Sequence, residues 1–286
     1  MAEHEHAGAI YLMGAGRSGT TILAAILAGH EQIAWGGELI HLADWQDPDN
    51  RCSCGEPLSR CAFWRSRDIE SVIGPAMEAA RPYESHRRVV RALLSRRAFS
   101  DLYREQQFSL VRTLVSGKNY LLDSSKYIGR AIGLSRVGDI DSKFIYMVRD
   151  PRGVVFSFGK RVQTRRRLLS ACLYYLAVNS AAQLAAWTVL RGRCIKIRYE
   201  DLVTDSPGTL NVIGRFLSLD LQPVSEKVSA GEVFAAEHIA GGNRWAQEGA
   251  VSLRPDMQWR RSLGWGSRVL VYLLCLPFQV INRYGF

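Results

Sequence analysis

One short stretch decides the fold that this sequence predicts: GAGRSGTT, residues 14–21. A short apolar run, Ala9–Met13, precedes it, and an apolar stretch of helical character, Thr21–Ala28, follows it. Glycines let the backbone turn tightly, so that successive N–H groups point at one anion, and the N-terminus of the following helix adds partial positive charge. The order of strand, glycine-rich turn and helix therefore predicts a loop that binds phosphate or sulfate.

The loop nearly matches the G-x-x-x-x-G-K-[ST] pattern of nucleoside triphosphatases. Gly14 and Gly19 fit this pattern, but Thr20 stands where it requires the lysine that reaches the β- and γ-phosphates. A triphosphatase or kinase has little chemistry without this lysine, so the loop is predicted to hold a different anion. A nucleotide kinase with a degenerate loop stays an alternative. The residues expected to bind the anion are Arg17, Ser18, Gly19, Thr20 and Thr21.

Apolar runs of strand and helix length alternate along the rest of the chain. The strand-like runs are Gln32–Trp35, Tyr120–Asp123, Lys143–Val148 and Cys194–Tyr199, and the helical stretches span residues 82–115, 128–137, 168–190 and 207–217. Alternating strands and helices with few hairpin signals predict a parallel sheet that is covered on both faces. The predicted class is α/β, a three-layer sandwich with a phosphate-binding loop and a central, mostly parallel sheet flanked by helices. A single domain over residues 1–286 is expected.

The composition limits the partners that the chain can have. Of its 286 residues, 47% are hydrophobic and 22% are charged, which excludes disorder as a global state. The net charge is +10, so the chain attracts nucleic acid, an anionic membrane or a phosphate-rich small molecule. The aromatic-rich signatures of nucleic-acid binding are missing, so no nucleic-acid partner is expected. A non-enzymatic module that binds acidic polymers or membranes stays an alternative.

The sequence has no pattern of a signal peptide or of a transmembrane span, so a cytoplasmic protein is expected. The longest apolar stretch lies near the end of the chain, where residues 268–286 predict an apolar helix. Its uninterrupted run is short for a membrane span. The helix is therefore expected either to be buried or to make peripheral contact with a membrane.

A second candidate anion site lies in KFIYMVRDPRGVVFSFG, residues 143–159. A strand is predicted to end at Arg149, a helix to begin near Pro151, and Ser157 to lie on that helix, eight residues after the arginine. An arginine and a hydroxyl beside a helix N-terminus suit a phosphate dianion. In isolation, Arg149 could equally form a surface ion pair with Asp150. Two anion sites on separate strand-to-helix turns favour one ligand, because ligands gather at the carboxyl ends of parallel strands.

Together these motifs resemble those of the sulfotransferase superfamily that uses 3′-phosphoadenosine 5′-phosphosulfate (PAPS), most closely its bacterial, carbohydrate- and tyrosylprotein-type members. The resemblance implies that residues 17–21 hold the 5′-phosphosulfate. It implies that Arg149 and Ser157 hold the 3′-phosphate, with Tyr199 beside them. It further implies direct in-line transfer of a sulfuryl group to a hydroxyl, with 3′-phosphoadenosine 5′-phosphate (PAP) as the product and no metal. The acceptor would be a carbohydrate, a glycolipid or another metabolite.

Three further segments resemble parts of the same family: LLDSSKY (121–127), RYEDL (198–202) and GNR (242–244). The first ends near Lys126, which would stabilise the charge of the transferred group together with Arg17. The second contains the strand end at Tyr199. The third carries Asn243 and Arg244, which would belong to a loop that closes over the nucleotide. Without the resemblance, the sequence would indicate only an exposed surface lysine at Lys126.

An acceptor hydroxyl must lose its proton as the new bond forms, and a carboxylate or an imidazole can take that proton. Glu38 follows the second predicted strand. Its position resembles that of the catalytic glutamate of the tyrosylprotein and related branches, and the resemblance implies that it is the base. Without the resemblance, the same glutamate reads as a carboxylate that favours a helix N-terminus. His41, one turn later, is the rival base. Both are expected to lie on the acceptor side of the site.

Three cysteines fall in a polar excursion, residues 47–67, in the spacing C-x-C-x₆-C: Cys52, Cys54 and Cys61. Three thiolates with a fourth ligand such as histidine could bind zinc, but the usual C-x₂-C pairs are absent. A disulfide between two of these cysteines stays an alternative if the protein lies in an oxidising compartment. Plain structural cysteines are the favoured interpretation, and no metal site is predicted.

Overall fold

The computed structural model describes residues 7–95, 98–160, 166–235, 237–241 and 250–285. Five strands in this part of the chain form one sheet: β1 Gly8–Gly14, β2 Ile33–Gly37, β3 Tyr120–Lys126, β4 Asp141–Val148 and β5 Cys194–Arg198. Their order is β2-β3-β1-β4-β5, and every neighbouring pair is parallel. A separate antiparallel pair joins β6, Phe234–Ala235, to β7, Ala250–Val251.

Helices connect the strands and cover the sheet. The α-helices are α1 Thr20–Ala28, α2 Ala62–Arg65, α3 Ile69–Val72, α4 Pro75–Glu84, α5 Val89–Leu94, α6 Asp101–Val115, α7 Ile128–Leu134, α8 Pro151–Gly159, α9 Leu168–Trp187, α10 Tyr199–Thr204, α11 Ser206–Leu217, α12 Gln222–Ser229, α13 Trp259–Ser262, α14 Trp265–Leu274 and α15 Leu276–Ile281. Short 3₁₀ helices cover Leu39–Asp44, Leu58–Arg60 and His86–Arg88.

The central strand β1 is buried on both faces, as a strand in the middle of a parallel sheet must be. Its successive side chains point to opposite sides of the sheet. Tyr11 and Met13 pack in one core with residues of α4, α5, α7, α8 and α9. Ile10 and Leu12 pack in a second core with residues of α1, α10, α11 and α12. The sheet therefore lies between two helical layers, which confirms the predicted α/β three-layer class.

Two predicted helical stretches are interrupted in the structure. The stretch 82–115 is divided among the end of α4, a 3₁₀ turn, α5 and α6. The apolar helix expected over 268–286 is instead two helices, because α14 ends before Cys275 and α15 begins with Pro277 in its first turn. Proline suits a first turn but not a helix interior. The break between α14 and α15 therefore follows from the position of Pro277.

Helix α9 is the one helix in the described ranges whose length and apolar composition would suffice for a membrane span. Of its most apolar window, 44% is buried within the protein. The buried side chains, among them Cys172, Tyr175 and Val178, belong to the core beside the sheet. One face of α9 therefore packs against the core beside the sheet.

Candidate active site

The loop between β1 and α1 is shaped by two glycines in the left-handed half of conformational space. Gly14 has φ +146°, and a Cβ there would lie 2.3 Å from the Met147 carbonyl oxygen of β4. Gly19 has φ +91°, and a Cβ there would lie 2.5 Å from the Tyr199 ring. Other residues would clash and would be strained at both positions. The glycines of the predicted loop thus set its path.

This loop presents groups that suit an anion. The N-cap of α1 is Gly19, which has no side chain to cap the helix. The Ser18 hydroxyl is fully buried in the loop and has no hydrogen-bond partner among the described residues. A buried hydroxyl without a partner is costly unless a ligand or water satisfies it. The loop therefore has the features of an anion site.

A cavity of about 390 Å³ opens in front of this loop, within the usual range of small-molecule sites. It brings together residues that are far apart in the sequence. Its lining includes Gly16, Arg17, Gly19, Thr20, Thr21, Lys126, Tyr127, Arg149, Ser157, Phe158, Arg166, Tyr174, Tyr199, Ser252, Arg254 and Asp256. The two predicted anion motifs therefore face one space, at the carboxyl ends of β1 and β4.

Arg149 is nearly buried, and its guanidinium is held on several sides. It donates to the Arg17 carbonyl at 3.2 Å and to the Asp256 carbonyl at 2.7 Å, and it lies 3.3 Å from the Asp256 carboxylate. It also lies over the Tyr199 ring, 4.3 Å from its centroid. The surface ion pair with Asp150 considered from the sequence is not formed, because Asp150 caps α8 and pairs with Arg152 at 2.7 Å.

Glu38 lies in the turn directly after β2, and its carboxylate contacts the Lys126 ammonium and the His41 imidazole. One oxygen accepts a hydrogen bond from Lys126 Nζ, and the other lies 3.8 Å from His41 Nε2. Lys126 also lines the cavity, so it stands between Glu38 and the loop that follows β1. His41 is the most exposed of the three side chains, at 41%. It approaches Glu38 without lining the cavity.

The charge of Glu38 is stabilised in spite of its burial. Burial by itself raises the pKa of the carboxyl, but Lys126 and His41 outweigh it and lower the pKa to about 2. The carboxyl is therefore ionised throughout the physiological range. As long as Lys126 is paired with it, the carboxylate is a weak base.

The end of β3 holds the Glu38 turn in place. The Asp123 carboxylate accepts from the Leu39 N–H at 3.4 Å, and the Ser125 hydroxyl accepts from the Ile40 N–H at 3.0 Å. Ser124 donates to the Gly37 carbonyl at 3.0 Å. These residues are the centre of the LLDSSKY segment. Its polar side chains therefore fix the turn that carries Glu38 relative to Lys126.

Asp123 is in turn held by a buried arginine. Arg130 donates to Asp123 at 2.7 Å, to Glu84 at 2.8 Å and to Gln107 at 3.3 Å. The side chains of Arg130, Asp123 and Glu84 are each at most 4% exposed. A buried network of this kind depends on every member, since loss of one leaves a charge without compensation.

We expect Arg130→Met to destabilise the protein by about 3–5 kcal/mol, because it leaves two buried carboxylates unpaired. The measurement is the free energy of unfolding from urea titration. Arg81→Met is the matched control, because Arg81 pairs with Asp44 near the surface, where one ion pair is worth at most about 1 kcal/mol. Equal effects of the two substitutions would contradict a structural role for the Arg130 network.

Several residues of the cavity were not identified from the sequence. The Tyr174 hydroxyl accepts a hydrogen bond from the Gly16 N–H at 3.0 Å, and Arg166 lies over the Tyr174 ring. The Tyr199 hydroxyl donates to the Arg254 carbonyl at 3.2 Å. The resemblance to the family predicts Tyr199, whereas Tyr174, Arg166 and Arg254 are not predicted; of these three, Arg166 belongs to the sequence run of arginines at 165–167. The predicted contributors Asn243 and Arg244 lie outside the described residues.

Comparisons with known proteins give one family match and several similar folds. A model of the sulfotransferase family matches residues 9–223. No curated protein matches the chain in sequence. Among solved structures, the sulfotransferase domain from the Synechococcus PCC 7002 olefin synthase superposes with a TM-score of 0.57 at 20% identity, covering 98% of this chain and 95% of that chain.

Two further solved structures have similar folds. The sulfotransferase domain from the curacin biosynthetic pathway gives a TM-score of 0.53 at 18% identity and covers 98% of each chain. Mouse sulfotransferase SULT7A1, complexed with PAP, gives a TM-score of 0.51 at 13% identity and covers 98% of this chain and 86% of that chain. At these identities the likeness concerns the fold.

Proposed function

Because the chain belongs to the sulfotransferase family, we propose that it transfers a sulfuryl group from PAPS to an acceptor hydroxyl. The observation that carries this proposal is the convergence of both predicted anion motifs on one cavity. PAPS has two separate anionic ends, a 5′-phosphosulfate and a 3′-phosphate. A site with two groups of anion-binding residues suits such a ligand. The mouse sulfotransferase of similar fold is complexed with PAP, which supports the choice of donor.

In this proposal the 5′-phosphosulfate lies at the N-terminus of α1. The backbone N–H groups of the loop and the Ser18 hydroxyl hold its oxygens, and Arg17 and Lys126 neutralise the charge that develops on the leaving phosphate. The nearly buried Arg149 and the Ser157 hydroxyl bind the 3′-phosphate. The Tyr199 ring packs against Arg149 and keeps its guanidinium plane fixed.

Glu38 is the proposed general base, and Lys126 links its strength to donor binding. In the free enzyme Lys126 pairs with Glu38 and helps to lower the pKa of the carboxyl to about 2. A bound sulfuryl group attracts the same ammonium. When Lys126 shifts toward the donor, burial raises the pKa of Glu38, and the carboxylate becomes a stronger proton acceptor. The acceptor hydroxyl then attacks sulfur in line as Glu38 takes its proton, and the bond between sulfur and the 5′-phosphate oxygen breaks to release PAP.

The proposed acceptor is a hydroxyl of a carbohydrate, a glycolipid or another metabolite. It approaches from the side of Glu38 and His41, opposite the nucleotide. The partly exposed His41 side chain lies beside Glu38, which makes it a hydrogen-bond partner for a polar acceptor. Turnover is therefore expected with polyhydroxy compounds.

Isothermal titration calorimetry with PAP tests this proposal, with ATP and adenosine 5′-phosphate as competitors. We expect PAP to bind more tightly than adenosine 5′-phosphate, because Arg149 and Ser157 add charge-assisted hydrogen bonds to the 3′-phosphate. Equal affinity for the two nucleotides, or a preference for ATP, would contradict the proposed donor site. A preference for ATP would favour the degenerate kinase.

A further inference from the structure

Three cysteines and one distant histidine come together next to the Glu38 turn. Cys54 Sγ lies 3.7 Å from Cys61 Sγ, and His238 Nδ1 lies 3.8 Å from Cys52 Sγ and 3.4 Å from Cys61 Sγ. All four ligand atoms lie within 4.8 Å of one another. His238 is 177 residues from Cys61 in the sequence, so only the fold creates this cluster.

Three distances between these atoms match those of a tetrahedral zinc site. With Zn–S bonds of about 2.3 Å and a Zn–N bond of about 2.0 Å, tetrahedral angles place two sulfurs about 3.8 Å apart and a sulfur and a nitrogen about 3.5 Å apart. In the structure, the Cys54–Cys61 sulfur distance is 3.7 Å, and the distances from His238 Nδ1 to the Cys61 and Cys52 sulfurs are 3.4 and 3.8 Å. We propose that Cys52, Cys54, Cys61 and His238 bind one Zn²⁺ ion.

The alternatives that the sequence left open fit these distances less well. A disulfide requires sulfurs about 2.05 Å apart, and every cysteine of the chain is free. A cysteine with a purely structural role packs as a small apolar side chain. Here the Cys61 sulfur instead contacts a second sulfur and a ring nitrogen. Three thiol groups and an imidazole facing one point are the donor set that zinc prefers.

A tight turn brings Cys52 and Cys54 to the same side. The Cys52 N–H donates to the Glu56 carbonyl at 2.9 Å, and the Gly55 N–H donates to the Cys52 carbonyl at 2.9 Å. Gly55 makes this turn at φ +94°, a conformation that favours glycine. Cys61 follows after a single 3₁₀ turn, and its N–H donates to the Pro57 carbonyl at 3.0 Å. The backbone thus holds three sulfurs together.

The histidine is positioned by backbone pairing and by an aromatic ring. The Ser53 N–H donates to the Ile239 carbonyl at 3.1 Å, and the Ile239 N–H donates to the Ser53 hydroxyl at 3.1 Å. The Phe63 ring stacks on the His238 imidazole with an interplanar angle of 6°. These contacts fix the plane of the imidazole so that Nδ1 faces the sulfurs.

The proposed zinc has a structural role, because four protein ligands leave no open coordination position. It joins the 47–67 excursion to residues 237–241. The second of these segments is bonded to the end of β2, since the Glu38 N–H donates to the Ala240 carbonyl at 2.7 Å and the Ala240 N–H donates to the Gly36 carbonyl at 2.9 Å. The metal therefore fastens both segments to the Glu38 turn, and the transfer chemistry itself needs no metal.

Metal analysis of the full chain tests this proposal. After purification and dialysis, inductively coupled plasma mass spectrometry is expected to find about one zinc per chain. Replacing the metal with Co²⁺ is expected to give the visible d–d bands and thiolate charge-transfer absorption of a tetrahedral site. This readout is independent of nucleotide binding, so it stands whether or not PAPS is the donor. A chain that holds no zinc and gives no cobalt spectrum, or an intact mass lower by two hydrogens from a disulfide, would overturn the proposal.

Variants of the proposed ligands test whether zinc depends on these cysteines and not on the other cysteines of the chain. Cys54→Ser is the first choice, because Cys54 is exposed and its loss disturbs the core least. Loss of a residue that only orients a metal ligand typically weakens metal binding roughly 10–100-fold. Because Cys54 is a proposed ligand itself, its substitution is expected to weaken zinc binding by more than that. Cys194→Ser is the matched control and is expected to keep its zinc. Zinc content in Cys54→Ser equal to that of Cys194→Ser would contradict the assignment.

The histidine needs a separate pair of variants. His238→Ala is expected to lose affinity for zinc, while His238→Cys is expected to keep the metal and shift the cobalt charge-transfer bands, because a fourth thiolate replaces the imidazole. This pair also distinguishes misfolding from ligand loss, since both variants remove the same imidazole. Unchanged zinc affinity in His238→Ala would remove His238 from the ligand set.

Discussion

Glu38→Gln is expected to lower kcat by about 10²–10⁴-fold, the usual contribution of a general base. The amide keeps the shape of the side chain but cannot accept a proton from the acceptor hydroxyl. The measurement is the rate of PAP release from PAPS in the presence of a panel of monosaccharides, glycolipids and phenols. Affinity for PAP, measured by calorimetry, is expected to change little, because Glu38 contacts Lys126 and does not line the nucleotide cavity.

His41→Gln is the control for this prediction, because His41 is the rival base. With Glu38 as the base, the His41 variant keeps most of the rate. A large loss of kcat in His41→Gln together with a small loss in Glu38→Gln would show that His41 is the base instead of Glu38. The pH profile gives a further check. Since the pKa of Glu38 in the free enzyme is about 2, protonation of Glu38 should not lower kcat/KM for PAPS until the pH falls close to that value.

Arg149→Ala is expected to weaken PAP binding roughly 100-fold, equivalent to about 3 kcal/mol for a charge-assisted contact with the 3′-phosphate. Binding of adenosine 5′-phosphate, which lacks the 3′-phosphate, is expected to change much less. The preference of the protein for PAP over adenosine 5′-phosphate should therefore collapse. Calorimetry of both nucleotides with both proteins measures this coupling directly.

The substitution also leaves the Asp256 carboxylate without its arginine. Lys160 then remains its only ion-pair partner among the described residues, at 3.7 Å. The variant Arg149→Ala/Asp256→Asn removes this carboxylate charge and keeps the same nucleotide readout. If either protein keeps the wild-type preference for PAP, Arg149 does not bind the 3′-phosphate. If both nucleotides lose affinity equally, the arginine supports the shape of the cavity instead.

The fold could be predicted because its signals are local. Glycines at residues 14 and 19, apolar strand runs and proline at the start of α8 each fix a short piece of backbone. Their order along the chain then determines a parallel sheet. The two anion motifs could be placed in one site for the same reason, since both follow parallel strands whose carboxyl ends lie at one edge.

The remaining site residues depend on contacts between distant segments. Tyr174 lies on α9 next to Tyr175, and such an aromatic pair in an apolar helix indicates core packing. Asp256 lies in a region where apolar residues show no helical or strand periodicity. His238 reaches the cysteines because residues 237–241 pair with the turn that contains Ser53. Nothing near position 238 in the sequence marks it as a ligand. Such residues are identified only when the packing of the chain is known.

The ion pair between Arg149 and Asp256 has a consequence for selectivity. If Arg149 binds the 3′-phosphate as proposed, its guanidinium meets each incoming anion with a resident carboxylate beside it. Free phosphate or sulfate must compete with this counterion through charge alone, whereas a nucleotide is also held by its other end at α1. On this proposal, Asp256 is the counterion of Arg149 in the empty site, and it disfavours binding of small anions relative to the nucleotide.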